Sequence, residues 1–430
     1  MNQPYSDRYT SYVLALIMLV MLFNTCDRTI ISVLVDDIRV DMGFDDRQMG
    51  FIMGLAFSIT YVLAGIPLAR LADRSSRKRI VSLALFAWST MTALTGMAQN
   101  FWQMVATRMG VGLGEAGGSP PCQSLVTDYV RPEQRARAMS LITIGALTGA
   151  GVGVVYGGWA AEHFGWRMAL VYISLPGIVL AALFYFTVRE PERRPQELAH
   201  TGPTDGNMLE ALAQLARNRA FVFLVAAVAL ISITSMGRVF WEPTFMRRIY
   251  GMNAQEAGLI YFILGPLPSA VGALFFATLA DKMGKVDRRW YALIPAWTTA
   301  LLIPLSLAFY FTSPETIFLW LPLGYYFSFL ASLVAAGWTP AIMALAQSIV
   351  PGNQRALSAA TWSIISSLVG SGLGPLLVGD LNVRFEPWFG DGAMRYSLSV
   401  LYFAPLLALY CLYRLSTEIG LLAEPATDEN

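Results

Sequence analysis

Uninterrupted apolar runs constrain this chain more than any other feature of its sequence. A helix rising about 1.5 Å per residue needs about 20 apolar residues to cross the ~30 Å hydrocarbon layer of a bilayer. Windows near 12–35, 48–69, 80–98, 101–126, 138–161, 168–188, 220–246, 257–280, 290–312, 316–345, 356–379 and 396–413 meet that length, twelve in all. A transmembrane barrel is excluded, because its strands alternate apolar and polar residues over about ten positions. The first window is too long for a cleaved signal peptide, carries Asp27 and Arg28, and lacks a small-residue cleavage site. Composition agrees: 55% of the 430 residues are hydrophobic and 14% charged, against roughly 25% charge in a soluble domain. Cys26, Cys122 and Cys411 all lie in apolar stretches, which offers neither a disulfide framework nor metal-ligand spacing. The chain reads as an all-α polytopic membrane protein.

Lysine and arginine set its orientation. With a cytoplasmic N-terminus and alternating windows, the inside segments hold 20 of the 30 basic residues, the outside loops 7 and the windows 3. The positive-inside rule then predicts two cytoplasmic termini. The longest polar stretch, 189–219, contains Pro191, Pro195, Gly202, Pro203 and Gly206. It reads as a cytoplasmic linker between six-helix halves at 1–188 and 220–416, followed by an acidic tail at 417–430. Residues 208–217 place Leu209, Leu212 and Ala216 on one helical face, expected either on the membrane surface or as a short solvated helix. A net charge of +1 provides no basic stripe for nucleic acid. No N-x-[ST] acceptor is present, in keeping with a bacterial inner (plasma) membrane.

The halves repeat each other. Gly50 and Asp73 bracket the second window and Gly258 and Asp281 the eighth, both pairs 208 residues apart. Before the fifth window stands Val-Arg-Pro-Glu-Gln-Arg-Ala at 130–136. Before the eleventh stands Val-Pro-Gly-Asn-Gln-Arg-Ala, offset by 220. Gly149, Gly151, Gly153 and Gly158 fall opposite Gly370, Gly372, Gly374 and Gly379, offset by 221. Repeated halves around a midplane site are a transporter architecture.

Nine windows carry no charge, and the six buried charges lie in the first, fourth and seventh: Asp27, Arg28, Arg108, Glu115, Arg238 and Glu242. Each would cost about 2.5–3.5 kcal/mol at a lipid-facing helix centre, so they must face a wet interior or one another. Asp27 and Arg108 lie about 13 and about 10 Å below the outer ends of their windows and are expected to bridge. Glu115 is two turns deeper than Arg108 on the same face, a spacing suited to an arginine that changes partner. Arg28 is about 100° round the helix from Asp27 and points elsewhere. Arg238 and Glu242 read equally as an i,i+4 pair or as part of the site.

These residues carry a family resemblance. The loop at 69–78, with Asp73, Arg74 and Arg77, resembles motif A of the major facilitator superfamily, though Ala69 and Ser76 replace its usual glycines. It is echoed at Asp281-Lys282-Met283-Gly284-Lys285. The resemblance covers nearly the whole chain. It implies a twelve-helix fold in two six-helix halves, and docking of Asp73 near the start of the eleventh helix in one state. Asn24-Thr25-Cys26-Asp27-Arg28 and the run from Arg108 to Glu115-Ala116 resemble Spinster-like facilitators, associated in animals with export of lysophospholipids and sphingosine phosphate. Gly145, Gly149 and Gly153 resemble antiporter motif C, but its proline is Val154 here, and close packing by small residues is the preferred reading.

The expectation is a secondary transporter, functional as a monomer, in which arginine attracts an anionic or zwitterionic lipid-like substrate and a carboxylate exchanges a proton. His163 and His200 lie in loops, so the proton must ride on carboxylates. A carrier of a soluble organic anion such as a sugar acid, or a drug/proton antiporter, would use the same charges. An enzyme is not expected, since G-x-S-x-G and H-E-x-x-H are missing, nor is a phosphate-binding loop present. No cofactor or metal is called for.

Overall fold

The computed structural model describes residues 5–191, 208–351 and 354–423. The described chain is helical apart from loops and one two-stranded hairpin. It divides into two compact units, Met1–Gly202 with Val239–Tyr261, and Pro203–Arg238 with Phe262–Asn430.

The first unit begins with α1 (Asp7–Met42), entered through Ser6, whose side chain accepts from the Tyr9 N–H, and closed at Gly43 with φ 65°. A capping box of Asp45 and Gln48 opens α2 (Asp46–Met53), and α3 (Leu55–Arg74) follows directly. Then come α4 (Arg77–Gly96, capped by Ser76), α5 (Phe101–Glu115, capped by Asn100), α6 (Ser119–Tyr129) and α7 (Arg135–Thr187). Gly165 interrupts α7 with φ 77° and ψ 158°, a backbone state open to glycine, so α7 is two helices meeting at a kink. In lipid, helices gain little from apolar burial and associate through close packing of small residues. The stripe Gly145, Gly149, Gly153 does this work on α7. A Cβ at these positions would collide with the Met18 and Leu22 carbonyls and with Cys26 and Thr29 of α1. Beneath it lies a core of Leu16, Val20, Leu85, Trp88, Leu125 and Phe184.

In the second unit the equivalent glycines behave alike. Gly370, in a π-helical stretch Ser366–Leu373, abuts Ser232, and Gly374, at the start of the helix Gly374–Phe389, abuts the Ile233 carbonyl. Leu224, Val228, Ile342, Leu345, Leu412 and Leu415 build its core. Leu215 of the helix Met208–Arg217, not one of the face residues expected from the sequence, packs with Phe221 and Val350, while Ala216 of that face is exposed. The side chains of Leu209 and Leu212 lie outside the described residues.

Among the described residues, eight helical stretches are long and apolar enough to cross a membrane. Windows 138–161 and 168–188 fall in one stretch, Arg137–Thr187, and 356–379 and 396–413 in another, Leu357–Gly420. Window 80–98 starts from the charged turn Arg77–Arg79, and window 101–126 is broken after Glu115 at Gly117 and Gly118. Window 316–345 is not one helix: Ile317–Phe318 and Leu321–Pro322 form an antiparallel hairpin, and the helix starts at Leu323.

Candidate functional site

Glycines in α5 build the site. Gly110, Gly112 and Gly114 leave no room for a Cβ against Met91, against Phe57 and Thr60, and against Trp88. The backbones of α3 and α4 therefore close on α5, and the Thr60 hydroxyl donates to the Met109 carbonyl at 2.8 Å. This brings Phe57 and Tyr61 of α3 and Thr92 of α4 over the charges of α1 and α5.

Arg28 is ion-paired through Nε to Glu115 Oε2, and its guanidinium lies 4.7 Å from the ring centres of both Phe57 and Tyr61. Those rings stack on each other at 5.5 Å. The Arg28 side chain is 28% exposed and that of Glu115 0%. Asp27 and Arg108 are 1% and 2% exposed. Asp27 Oδ2 accepts from Thr92 at 3.4 Å, while its Oδ1 has no hydrogen-bond partner. Arg108 stands in the field of both Asp27 and Glu115, 5.8 Å from the Phe57 ring centre, with its Nε unbonded. The geometry differs from the sequence expectation in two respects. Arg108 forms no ion pair with Asp27, and Arg28, expected to point elsewhere, holds Glu115. Depth along a helix cannot fix this, because the partner depends on how α1 turns about its axis against α5. Of these four charged side chains, that of Arg28 is the most exposed.

Arg238 and Glu242 are both buried on the helix Arg219–Tyr250. Within the second unit, Arg238 Nη2 donates to Ser332 Oγ at 3.4 Å, and Ser269 Oγ donates to the Ser332 carbonyl at 3.0 Å.

In the motif A loop, Arg77 is buried and Arg74 exposed, while the side chain of Asp73 lies outside the described residues. Arg77 pairs with Asp128 and, at 3.0 Å, with Glu190. Glu190 also accepts from the Ser76 hydroxyl at 2.7 Å and the Lys78 N–H at 2.9 Å, which seats a carboxylate on the N-terminus of α4. Burial pushes the Glu190 carboxyl up, but these donors outweigh it and hold it below its ordinary value. In the echo, Asp281 accepts from the Tyr291 hydroxyl at 3.4 Å. Asp128 and Glu190 escaped the sequence reading, since neither belongs to the motif pattern.

A further cluster was also missed. At the far end of α1, Arg248 binds Asp36 and Asp46, each at 2.6 Å, and Arg247 binds Asp37 at 2.7 Å and the Val33 carbonyl at 2.9 Å. The signal was present as two opposite doublets, Asp36-Asp37 and Arg247-Arg248, at equivalent ends of the first and seventh windows.

A model of the Major Facilitator Superfamily matches residues 17–417. The chain belongs to that superfamily. This facilitator is 32% identical over 384 residues to an MFS-type efflux pump of Mycolicibacterium smegmatis, covering 89% of this chain and 87% of the relative. It is 27% identical over 273 residues to a probable galactarate/D-glucarate transporter of Bacillus subtilis, covering 58% and 60%. Its structure is similar to a bacterial homolog of the human lysosomal transporter Spinster in an inward-facing, unoccupied conformation. The TM-score there is 0.86 at 25% identity, covering 98% of this chain and 100% of that one. The facilitator is thus a multi-pass secondary transporter of the inner (plasma) membrane, working by alternating access, and not an enzyme.

Proposed function

We propose that this facilitator couples protons to the movement of an amphipathic anionic or zwitterionic, lipid-like substrate. One observation carries the reading: Arg28 is an accessible cation set on an aromatic wall of Phe57 and Tyr61. A cation alone suits any anion; a cation with an adjoining apolar surface suits a headgroup with a tail. Glu115 holds Arg28, and protonation of Glu115 releases the guanidinium to substrate. Asp27, buried with one bonded oxygen, is the second proton-exchanging carboxylate, and Arg108 is the fixed charge between them. Arg238, Glu242 and the motif A residues Asp73, Arg74, Arg77 and Asp281 complete the proposed substrate and conformational set. We assign twelve passes in two six-helix halves, 1–188 and 220–416, with both termini cytoplasmic. Arg137–Thr187 and Leu357–Gly420, 51 and 64 residues long, each suffice for two crossings. The helices of windows 80–98 and 101–126 supply the remaining two.

The second reading is a soluble organic anion, favoured by the B. subtilis relative; the M. smegmatis relative, an efflux pump, favours export, as in the drug/proton antiport alternative. Proteoliposome uptake separates them. Under an imposed pH gradient, a fluorescent lysophospholipid should be moved and a radiolabelled sugar acid should not. Movement of the sugar acid alone would reject the lipid reading.

A further inference from the structure

The loop between the helices Trp290–Phe311 and Leu323–Ala335 has a composition at odds with its backbone. Ile317 pairs with Pro322 and Phe318 with Leu321, which leaves Leu319 and Trp320 as a two-residue turn. Both have positive φ, 43° and 70°. Positive φ at both turn residues marks a type I′ hairpin, where Asn-Gly is favoured because a Cβ in the left-handed region crowds the backbone. A leucine and a tryptophan are among the poorer residues for this geometry. Nothing within the described protein compensates: Ile317, Phe318, Leu319 and Leu321 are exposed, and Trp320 is 92% exposed. The hairpin is nevertheless held firmly. The Leu323 N–H donates to the Thr316 carbonyl at 2.7 Å and the Tyr326 hydroxyl to the Leu319 carbonyl at 3.1 Å. The Phe318 ring meets Tyr326 edge-on at 5.6 Å. A rigid apolar tip facing water would be doubly unfavourable, in backbone conformation and in exposed area.

The flanking chain identifies the occupant. Both neighbouring helices are membrane spans, and no charged residue occurs between Glu315 and Arg355. The tip thus joins two apolar helices with no charge beside it to hold it in water, and tryptophan is favoured at the headgroup level of a bilayer. We propose that Leu319-Trp320 is an interfacial anchor, inserted into the headgroup–acyl boundary of phospholipid, which fixes the depth of the two helices it joins. Burial of the two side chains in lipid offsets the unfavourable turn.

The test uses full-length protein in phosphatidylcholine nanodiscs. Cys26 and Cys122 are buried, so a Trp320→Cys, Cys411→Ser variant takes an environment-sensitive dye at position 320. The expected result is blue-shifted emission, strong quenching by headgroup-proximal nitroxide lipids, and protection from aqueous iodide. Water-like emission, with iodide quenching equal to that of a dye at Asp391→Cys, would overturn the proposal. So would apolar emission that nitroxide lipids leave unquenched, the mark of a protein partner or second copy. A Leu319→Asn/Trp320→Gly variant has side chains matched to the turn and needs no label. The share of its tryptophan emission quenched by brominated lipid should fall, since one of 11 tryptophans has been removed from the interface. An unchanged quenching profile would count against the anchor.

Discussion

Replacing Glu115 with glutamine asks whether the Arg28–Glu115 pair is a switch or a brace. The substitution keeps the shape and an acceptor oxygen but removes the charge. A hydrogen bond to a charged group contributes about 1.5–3 kcal/mol and a neutral one about 0.5–1.5, so the bond should weaken by roughly 1–2 kcal/mol. Breaking a fully buried pair typically costs about 3–5 kcal/mol. Arg28 is spared much of that cost, because 28% of its side chain reaches solvent and two rings share its charge. Cation–π contacts of this kind contribute about 0.5–1 kcal/mol each at exposed sites. Glu115→Gln should therefore express, fold and melt close to the parent. In proteoliposomes it should lose the response of transport to an imposed pH gradient, while counterflow exchange without a gradient persists. Thermal unfolding and the two transport assays on one preparation decide it. Poor expression with early melting would show a packing brace; full gradient-driven accumulation would show that Glu115 carries no coupling proton.

Three other outcomes follow from the packing and the charge clusters. Gly149→Val should prevent stable folding or cost more than about 3 kcal/mol, because its side chain would enter the Leu22 carbonyl; detergent melting curves equal to the parent's would contradict the glycine-packed contact of α1 and α7. Arg248→Ala removes the two short ion pairs and leaves Asp36 and Asp46 their longer contacts to Arg39, at 3.7 and 3.8 Å, so hydrogen exchange at 36–46 and 245–250 should rise, and unaltered exchange would refute the tie. Glu190 is held below its ordinary value, so its stabilisation is present above the unfolded-state pKa of about 4.3 and is lost as pH falls through the lower folded value. Glu190→Gln should lower the melting temperature at pH 7 and converge with the parent in acid; parallel curves at all pH values would exclude the proposed bonding.

Membrane spans and buried charges were legible because both are written in transfer free energy: length against bilayer thickness, and charge against the cost of burial. The repeat was legible in the glycines, whose roles at Gly149 and Gly370 are alike, Gly149 meeting α1 and Gly370 the helix Arg219–Tyr250. Partner choice was not. Whether Arg28 or Arg108 meets Glu115 depends on helix azimuth, which the aromatic pair Phe57–Tyr61 and the glycines of α5 decide together. Nor could hydropathy distinguish the hairpin at 317–322 from the first turns of a helix, since Ile-Phe-Leu-Trp-Leu is equally apolar in both. Glu190 lay just beyond a window, and only the N–H groups exposed at the start of α4 give it a role.

In the proposed mechanism Arg28, not Arg108, receives the anionic head of the substrate. Affinity for lysophosphatidylglycerol and for a neutral monoacylglycerol, measured on Arg28→Ala and Arg108→Ala, addresses that directly. Loss of a charge-assisted hydrogen bond of about 1.5–3 kcal/mol corresponds to roughly a 10- to 100-fold loss of affinity. Arg28→Ala should lose that much for the anionic ligand and little for the neutral one, with Arg108→Ala affected less. Equal losses for both ligands in Arg28→Ala, or a selective loss confined to Arg108→Ala, would contradict the assignment.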